Sequence, residues 1–131
     1  MILLDTHVLL ILISDPERLS KAASRAIVRA EAVGGIAIAS ITLWEIALLI
    51  HGRRITIAGS TETFLNHIAG RPSLSILELT PEVAALAFQF PPEFPNDPAD
   101  RIIAATARAH GLPLVTKDQR MLGSAVLKTV W

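Results

Sequence analysis

Four carboxylates stand in apolar surroundings in this chain. Asp5 closes the run Ile2-Leu3-Leu4. Glu45 shares a helix face with Ile41 one turn before it and with Leu48 and Leu49 one turn after it. Asp100 shares a face with Ile103, Ala104 and Ala107, and Asp118 lies just past Leu114-Val115-Thr116. A charge inside an apolar stripe is costly unless something pairs with it. No matching set of core-facing Lys or Arg is visible, so a divalent cation is the expected partner. All-oxygen ligands suit Mg2+ or Mn2+, hard ions that keep several waters. Each acid alone has a plainer reading. Asp5 can end a strand or cap the next helix, and turns favour Asp118. Asp97, before Pro98, reads as an N-cap only. Asp100 then falls in the first turn, where a negative charge suits the helix dipole. Glu45 resists such a reading, and the placement of all four together argues for a site.

The elements that must position these acids follow from the pattern. Met1–Asp5 reads as a buried strand and 7–13 as a helix stopped at Ser14-Asp15-Pro16. Pro16 opens a second helix running to about Val33, ended by Gly34-Gly35. Ile36–Ala39 is a second strand, and Ser40 or Thr42 caps a helix of about ten residues that ends at Gly52. Ser60–Ala69 is helical, Ser75–Leu79 a third strand, and Pro81–Phe90 a helix capped by Thr80. Pro91–Pro95 is an irregular loop, and Asp97 caps the helix Pro98–His110. Leu114–Thr116 is a fourth strand and Val126–Val130 a fifth. Strands alternating with helices predict an α/β fold, a three-layer α/β/α arrangement around a mainly parallel sheet of four to five strands. In such sheets ligands bind beyond the carboxyl ends of the strands. That rule brings Asp5, Glu45, Asp100 and Asp118 to one edge, with Thr6, Ser40 and Thr116, which otherwise read as caps or turn formers.

The 131 residues predict one domain, 1–131. With 51% hydrophobic and 18% charged residues, disorder is excluded. A mean hydropathy of +0.48 leaves apolar surface to hide against another protein, and a homodimer is expected. Lys and Arg balance Asp and Glu at 12 each, which argues against a protein that coats DNA without specificity. The absence of cysteine removes disulfides, thiolate zinc sites, iron–sulfur clusters and thiol catalysis. Asp5 and His7 interrupt the apolar run 1–13, and Glu45 the run 36–50. Neither reaches the ~20 apolar residues of a membrane span. No basic residue precedes the first run, so a signal peptide is not expected, and the reading is a soluble, cytoplasmic protein.

Four segments carry a resemblance: Leu3-Leu-Asp-Thr-His-Val-Leu-Leu10, Ser40-Ile-Thr-Leu-Trp-Glu-Ile-Ala47, Asp97-Pro-Ala-Asp-Arg-Ile-Ile-Ala-Ala-Thr-Ala107 and Leu114-Val-Thr-Lys-Asp118. In content and order the chain resembles the PIN-domain ribonucleases, and within them the VapC-type toxins of toxin–antitoxin pairs. The resemblance implies Mg2+-dependent endonucleolytic cleavage of RNA, an antitoxin protein as partner and an acidic site at Asp5, Glu45, Asp100 and Asp118. Its supporting hydroxyl matches Thr116. Metal ions held by carboxylates can generate a nucleophile and stabilise both the phosphoryl and the leaving oxygens, as two-metal sites do with ions ~3.5–4 Å apart. In this reading Asp5 and Asp100 are the most direct ligands, and Glu45 and Asp118 hold a second ion or orient the attacking water. Arg101 and Lys117 flank the acids as candidate RNA contacts, and Arg120 reads as a solvated rim. His7, His51, His67 and His110 show no ligand spacing, and Trp44 reads as core or interface packing. The chain departs from the pattern after Glu45, where Leu48, Leu49 and Ile50 stand in place of a Lys or Arg. Basic residues resume at Arg53 and Arg54. A haloacid-dehalogenase-like phosphatase wants an acid where His7 stands, and a receiver domain wants its phosphoacceptor on a middle strand. A catalytically silent binding module is the non-enzymatic rival, but all four acids are present.

Overall fold

Five short strands lie parallel in the order β3-β2-β1-β4-β5: β1 (Ile2–Leu4), β2 (Ile36–Ala39), β3 (Leu74–Leu77), β4 (Leu114–Val115) and β5 (Thr129–Val130). They are seen in a computed structural model that describes residues Met1–Trp131. The pleat divides their side chains between two cores. Ile2, Leu4, Ile36, Ile38 and Val115 face one side, where α1 (Thr6–Ser14), α2 (Lys21–Ala32), α3 (Ser40–His51) and α4 (Thr61–Ala69) supply Val8, Leu9, Ile27, Ile46 and Ile68. Leu3, Ala37, Ala39 and Leu114 face the other, where α5 (Pro81–Leu86), α6 (Pro98–His110) and α7 (Gln119–Leu122) supply Val83, Ile103, Ala104 and Met121. Both sheet faces are covered, which explains strands that read as unbroken apolar runs. The three-layer architecture is the one expected from the alternation of elements. No helix is long and apolar enough to cross a membrane.

Several boundaries differ from the sequence reading, each for a local reason. The helix expected from Pro16 to Val33 is two elements. Pro16–Arg18 forms a single 3-10 turn, and α2 restarts because the Ser20 hydroxyl accepts the Ala23 N–H at 3.0 Å. Neither Ser40 nor Thr42 caps α3. Ala39 holds the cap position without a side-chain bond, and the chain passes directly from β2 into the helix. The helix expected over Pro81–Phe90 stops at Leu86: Pro91 bars helical backbone at Phe90, which turns inward and stacks on Phe94 with ring centroids 4.2 Å apart. The third and fifth strands are shorter than expected, and α7, capped by Asp118, was not anticipated. Before β2, Gly35 has φ +83°, and a Cβ there would lie 2.7 Å from the Ser73 carbonyl oxygen, so only glycine fits.

Candidate active site

Asp5 leaves the end of β1 and caps α1. Its Oδ1 accepts the Thr6 N–H at 2.8 Å and its Oδ2 accepts the Thr116 hydroxyl at 2.8 Å. Only 4% of the residue is exposed. Burial raises its carboxyl above the ordinary range, although the Thr116 bond, His7 and the Thr6 bond oppose this. Glu45 projects from the second turn of α3. Its Oε1 is buried with no hydrogen-bond partner, and burial raises its carboxyl too, with the Thr6 hydroxyl opposing and Asp5 and Asp97 reinforcing. Asp100 lies in the first turn of α6. Desolvation, then the fields of Asp5, Asp97, Glu45 and Asp118, push it up to about 7. Asp118 caps α7. Desolvation would raise it, but Arg120 donates its backbone N–H at 2.9 Å and its guanidinium at 3.1 Å, and these bonds together hold it below the usual carboxylate range.

These four acids line a single cavity of about 600 Å³ at the carboxyl edge of the sheet, as the strand-end rule expected. A fifth acid joins them. Asp97 caps α6, its Oδ1 accepting the Asp100 N–H at 3.0 Å, and Glu45, Asp97 and Asp100 each bring a carboxylate oxygen within 4.8 Å of the others. The sequence reading gave Asp97 a capping role alone. The signal that could have found more was its position one turn from Asp100. Asp5 and Asp118 face the same cavity but are not part of this closest group. Three close oxygens, one of them on a carboxylate with an orphaned buried atom, form an oxygen-only donor set with no cation of the chain between them. That set fits a hard divalent ion.

The polar residues around the acids divide sharply. Thr116 is fully buried, donates to Asp5 and accepts the Asp118 N–H at 3.1 Å. Thr6, equally buried, bonds Thr42 at 3.1 Å. Lys117, Arg120, Arg18 and His7 line the cavity, the last two unforeseen from the sequence. Arg101 does not reach it. Its guanidinium donates to the Ala87 carbonyl at 3.3 Å and to Asn96 Oδ1 at 3.1 Å, and it lines a separate groove beside Leu79 and Phe88. An Arg next to a site acid in sequence points to another face of the helix. Trp44 is 57% exposed and does not belong to the core.

The PIN-domain family model matches residues 2–125 of this chain. The chain is 43% identical over 120 residues to Ribonuclease VapC22 of Mycobacterium tuberculosis, covering 92% of this chain and 88% of that protein. Among solved structures it is similar to VapBC2 from Rickettsia felis bound to a DNA fragment from its promoter, with a TM-score of 0.70, 19% identity and coverage of 98% and 97% of the two chains. It is also similar to DNA-bound VapBC from Salmonella typhimurium, with a TM-score of 0.69, 25% identity and the same coverages.

Proposed function

The chain belongs to the PIN-domain family, and from that premise we propose that it is a metal-dependent endoribonuclease, the toxin of a toxin–antitoxin pair. The observation that carries the reading is the cavity lined by Asp5, Glu45, Asp97, Asp100 and Asp118, in which a buried Glu45 oxygen has no partner. Asp5, Glu45, Asp100 and Asp118 would hold Mg2+ or Mn2+, with Asp97 added by its closeness to Glu45 and Asp100. Such an ion supplies a strong nucleophile at neutral pH and neutralises charge on phosphoryl and leaving oxygens.

The chain's own residues prepare the site. Thr116 fixes the Asp5 carboxylate from one side and the Thr6 N–H from the other, so Asp5 enters the reaction in one orientation. Asp100, at about 7, changes protonation near neutrality, and an RNA phosphate approaching without a metal ion would meet the cluster of Asp5, Glu45, Asp97 and Asp100, none of which has a Lys or Arg partner. Lys117 and Arg18 on the cavity wall contact RNA phosphates and set the path of the strand.

The partner surface adjoins the same cavity. A groove of about 330 Å³, lined by Leu10, Ile13, Ile55, Ile57 and Phe64, shares Leu10, Ser14 and Ile55 with it. An antitoxin segment lies there and places a basic side chain among the acids. Trp44 and Leu48, exposed one turn apart on α3, suit a two-fold homodimer contact in a cytoplasmic protein.

The test is cleavage of single-stranded RNA with Mg2+ or Mn2+. EDTA should stop it, and the products should carry 5′-phosphate and 3′-hydroxyl ends. Glu45→Gln keeps the side-chain shape and removes its charge, and the rate should fall at least about a hundredfold. Wild-type cleavage by a folded Glu45→Gln protein, or 2′,3′-cyclic phosphate ends formed without metal, would overturn the reading.

A further inference from the structure

Thr42 is fully buried, polar and part of neither an α3 cap nor the carboxylate cluster. Its Oγ1 meets the Oγ1 of Thr6, also fully buried, at 3.1 Å. Glu45 follows Thr42 by about one turn of the same helix and so lies on the same face.

Two hydroxyls carry two protons, and the bond between them uses one. With Thr6 donating to Thr42, the Thr42 proton has no acceptor among the hydrogen bonds of the structure, while Glu45 Oε1 has no donor. Reversing that one bond resolves the shortage at Glu45. Thr42 then donates to Thr6, and the Thr6 proton is free for the neighbouring Glu45 carboxylate. Thr6 sits against Thr42, one turn from Glu45 on the same face of α3, and its hydroxyl favours the charged form of Glu45. Buried polar atoms are rarely left unpaired, so the reversed sense is favoured because it gives Glu45 Oε1 a donor.

We propose that Thr42 is a positioning residue for the nuclease site, its hydroxyl aiming that of Thr6 at Glu45 and holding the carboxylate toward the cavity. This rests on the reading of Glu45 as a member of the reacting site. The relay differs from the Thr116–Asp5 contact, because Thr42 makes no hydrogen bond to the acid it orients.

The experiment uses the full chain, a single-stranded RNA oligonucleotide and MnCl2. Thr42→Val removes the hydroxyl at nearly constant shape, and kcat should fall about tenfold with KM within about twofold. Calorimetry should show Mn2+ affinity several-fold weaker in the same variant, and Thr42→Ser should restore both values to within about twofold. In a cycle with Thr6→Val, the double variant should be no worse than Thr6→Val alone, since Thr42 acts through Thr6. If Thr42→Val does not fold, Thr42→Ala removes the same hydroxyl without adding bulk and is read against the same outcomes. Wild-type kcat and Mn2+ affinity in the hydroxyl-free variant would overturn the proposal. So would a Thr42→Ser protein as impaired as Thr42→Val, or losses that multiply in the double variant. Glu45→Gln is the control: if it cuts normally the nuclease reading itself fails, whereas its loss beside an unaffected Thr42→Val overturns the relay alone.

Discussion

The Thr116 hydroxyl donates to Oδ2 of Asp5 across 2.8 Å, joining the ends of two neighbouring parallel strands. Asp5 is buried and burial already disfavours its charged form, so this donor opposes a large desolvation effect. Thr116→Val removes it at nearly constant volume. A hydrogen bond to a charged group contributes about 1.5–3 kcal/mol, and denaturant unfolding in EDTA at a pH high enough to ionise Asp5 should show a loss of that size. The loss should shrink as the pH is lowered and the raised Asp5 carboxyl takes up its proton, because protonated Asp5 needs the donor less, while Thr116→Ser should keep most of the stability. Equal destabilisation across the whole pH range would mean that packing of the Thr116 methyl, and not its bond to Asp5, supports the fold.

Asp100 gives the apo protein an inverted pH profile for a carboxylate. Its folded value is about 7 against an ordinary 3.8, so folding disfavours its charged form. The native state then binds more protons than the unfolded state between those values, and stability falls as pH rises through that window. Melting in EDTA should therefore occur at lower temperature at pH 8 than at pH 5. Asp100→Asn should flatten the profile and raise the pH 8 melting temperature. Mn2+ should restore stability to the wild type at pH 8 and much less to Asp100→Asn. Identical pH profiles in the two proteins would show that the repulsion among these acids is already relieved.

Asp97 offers a way to separate capping from metal binding. Asn caps a helix about as well as Asp, so Asp97→Asn should melt within a degree or two of the wild type in EDTA. It removes one charge beside Glu45 and Asp100, and calorimetry should show Mn2+ bound several-fold more weakly. Unchanged affinity would reduce Asp97 to its cap.

Asp97 also shows where the sequence was legible and where it was not. The Asp97-Pro98 pair announced a helix start, and the cap is there. Caps are local, and local signals also located β2, the start of α5 and the whole of α6. The strand-end rule brought Asp5, Glu45, Asp100 and Asp118 to one cavity because a parallel sheet delivers all its carboxyl ends to the same edge. Distances within that edge depend on helix rotation and loop paths, which no short motif encodes. Hence the closeness of Asp97 to Glu45, the pairing of Asp118 with Arg120 and the Thr6–Thr42 bond emerged only in three dimensions. The early end of α5 is of the same kind. Pro91 bars helix at Phe90 in any case, but the chain leaves the helix already after Leu86, where Phe90 is drawn in against Phe94.

Lys117 and Arg101 follow site acids or precede them in sequence, yet the structure gives them opposite surroundings. Lys117 is exposed on the cavity wall, its Nζ 5.8 Å from the Trp131 ring centroid, and no carboxylate pairs with it. Arg101 is half-buried and bonded to Ala87 and Asn96. A cation on a phosphate path changes affinity and its salt dependence, whereas one bonded to a loop changes stability. Lys117→Ala should therefore raise KM for RNA several-fold and lower the slope of log affinity against log salt by about 1, with little change in melting temperature. Arg101→Ala should leave KM within about twofold and destabilise the protein by about 1 kcal/mol, through the two bonds that hold the loop before α6. Filter binding across a salt series and denaturant unfolding of both variants read the two effects separately. A salt slope lowered by Arg101→Ala and untouched by Lys117→Ala would place the RNA strand over the Leu79–Phe88 groove instead of across the acidic cavity.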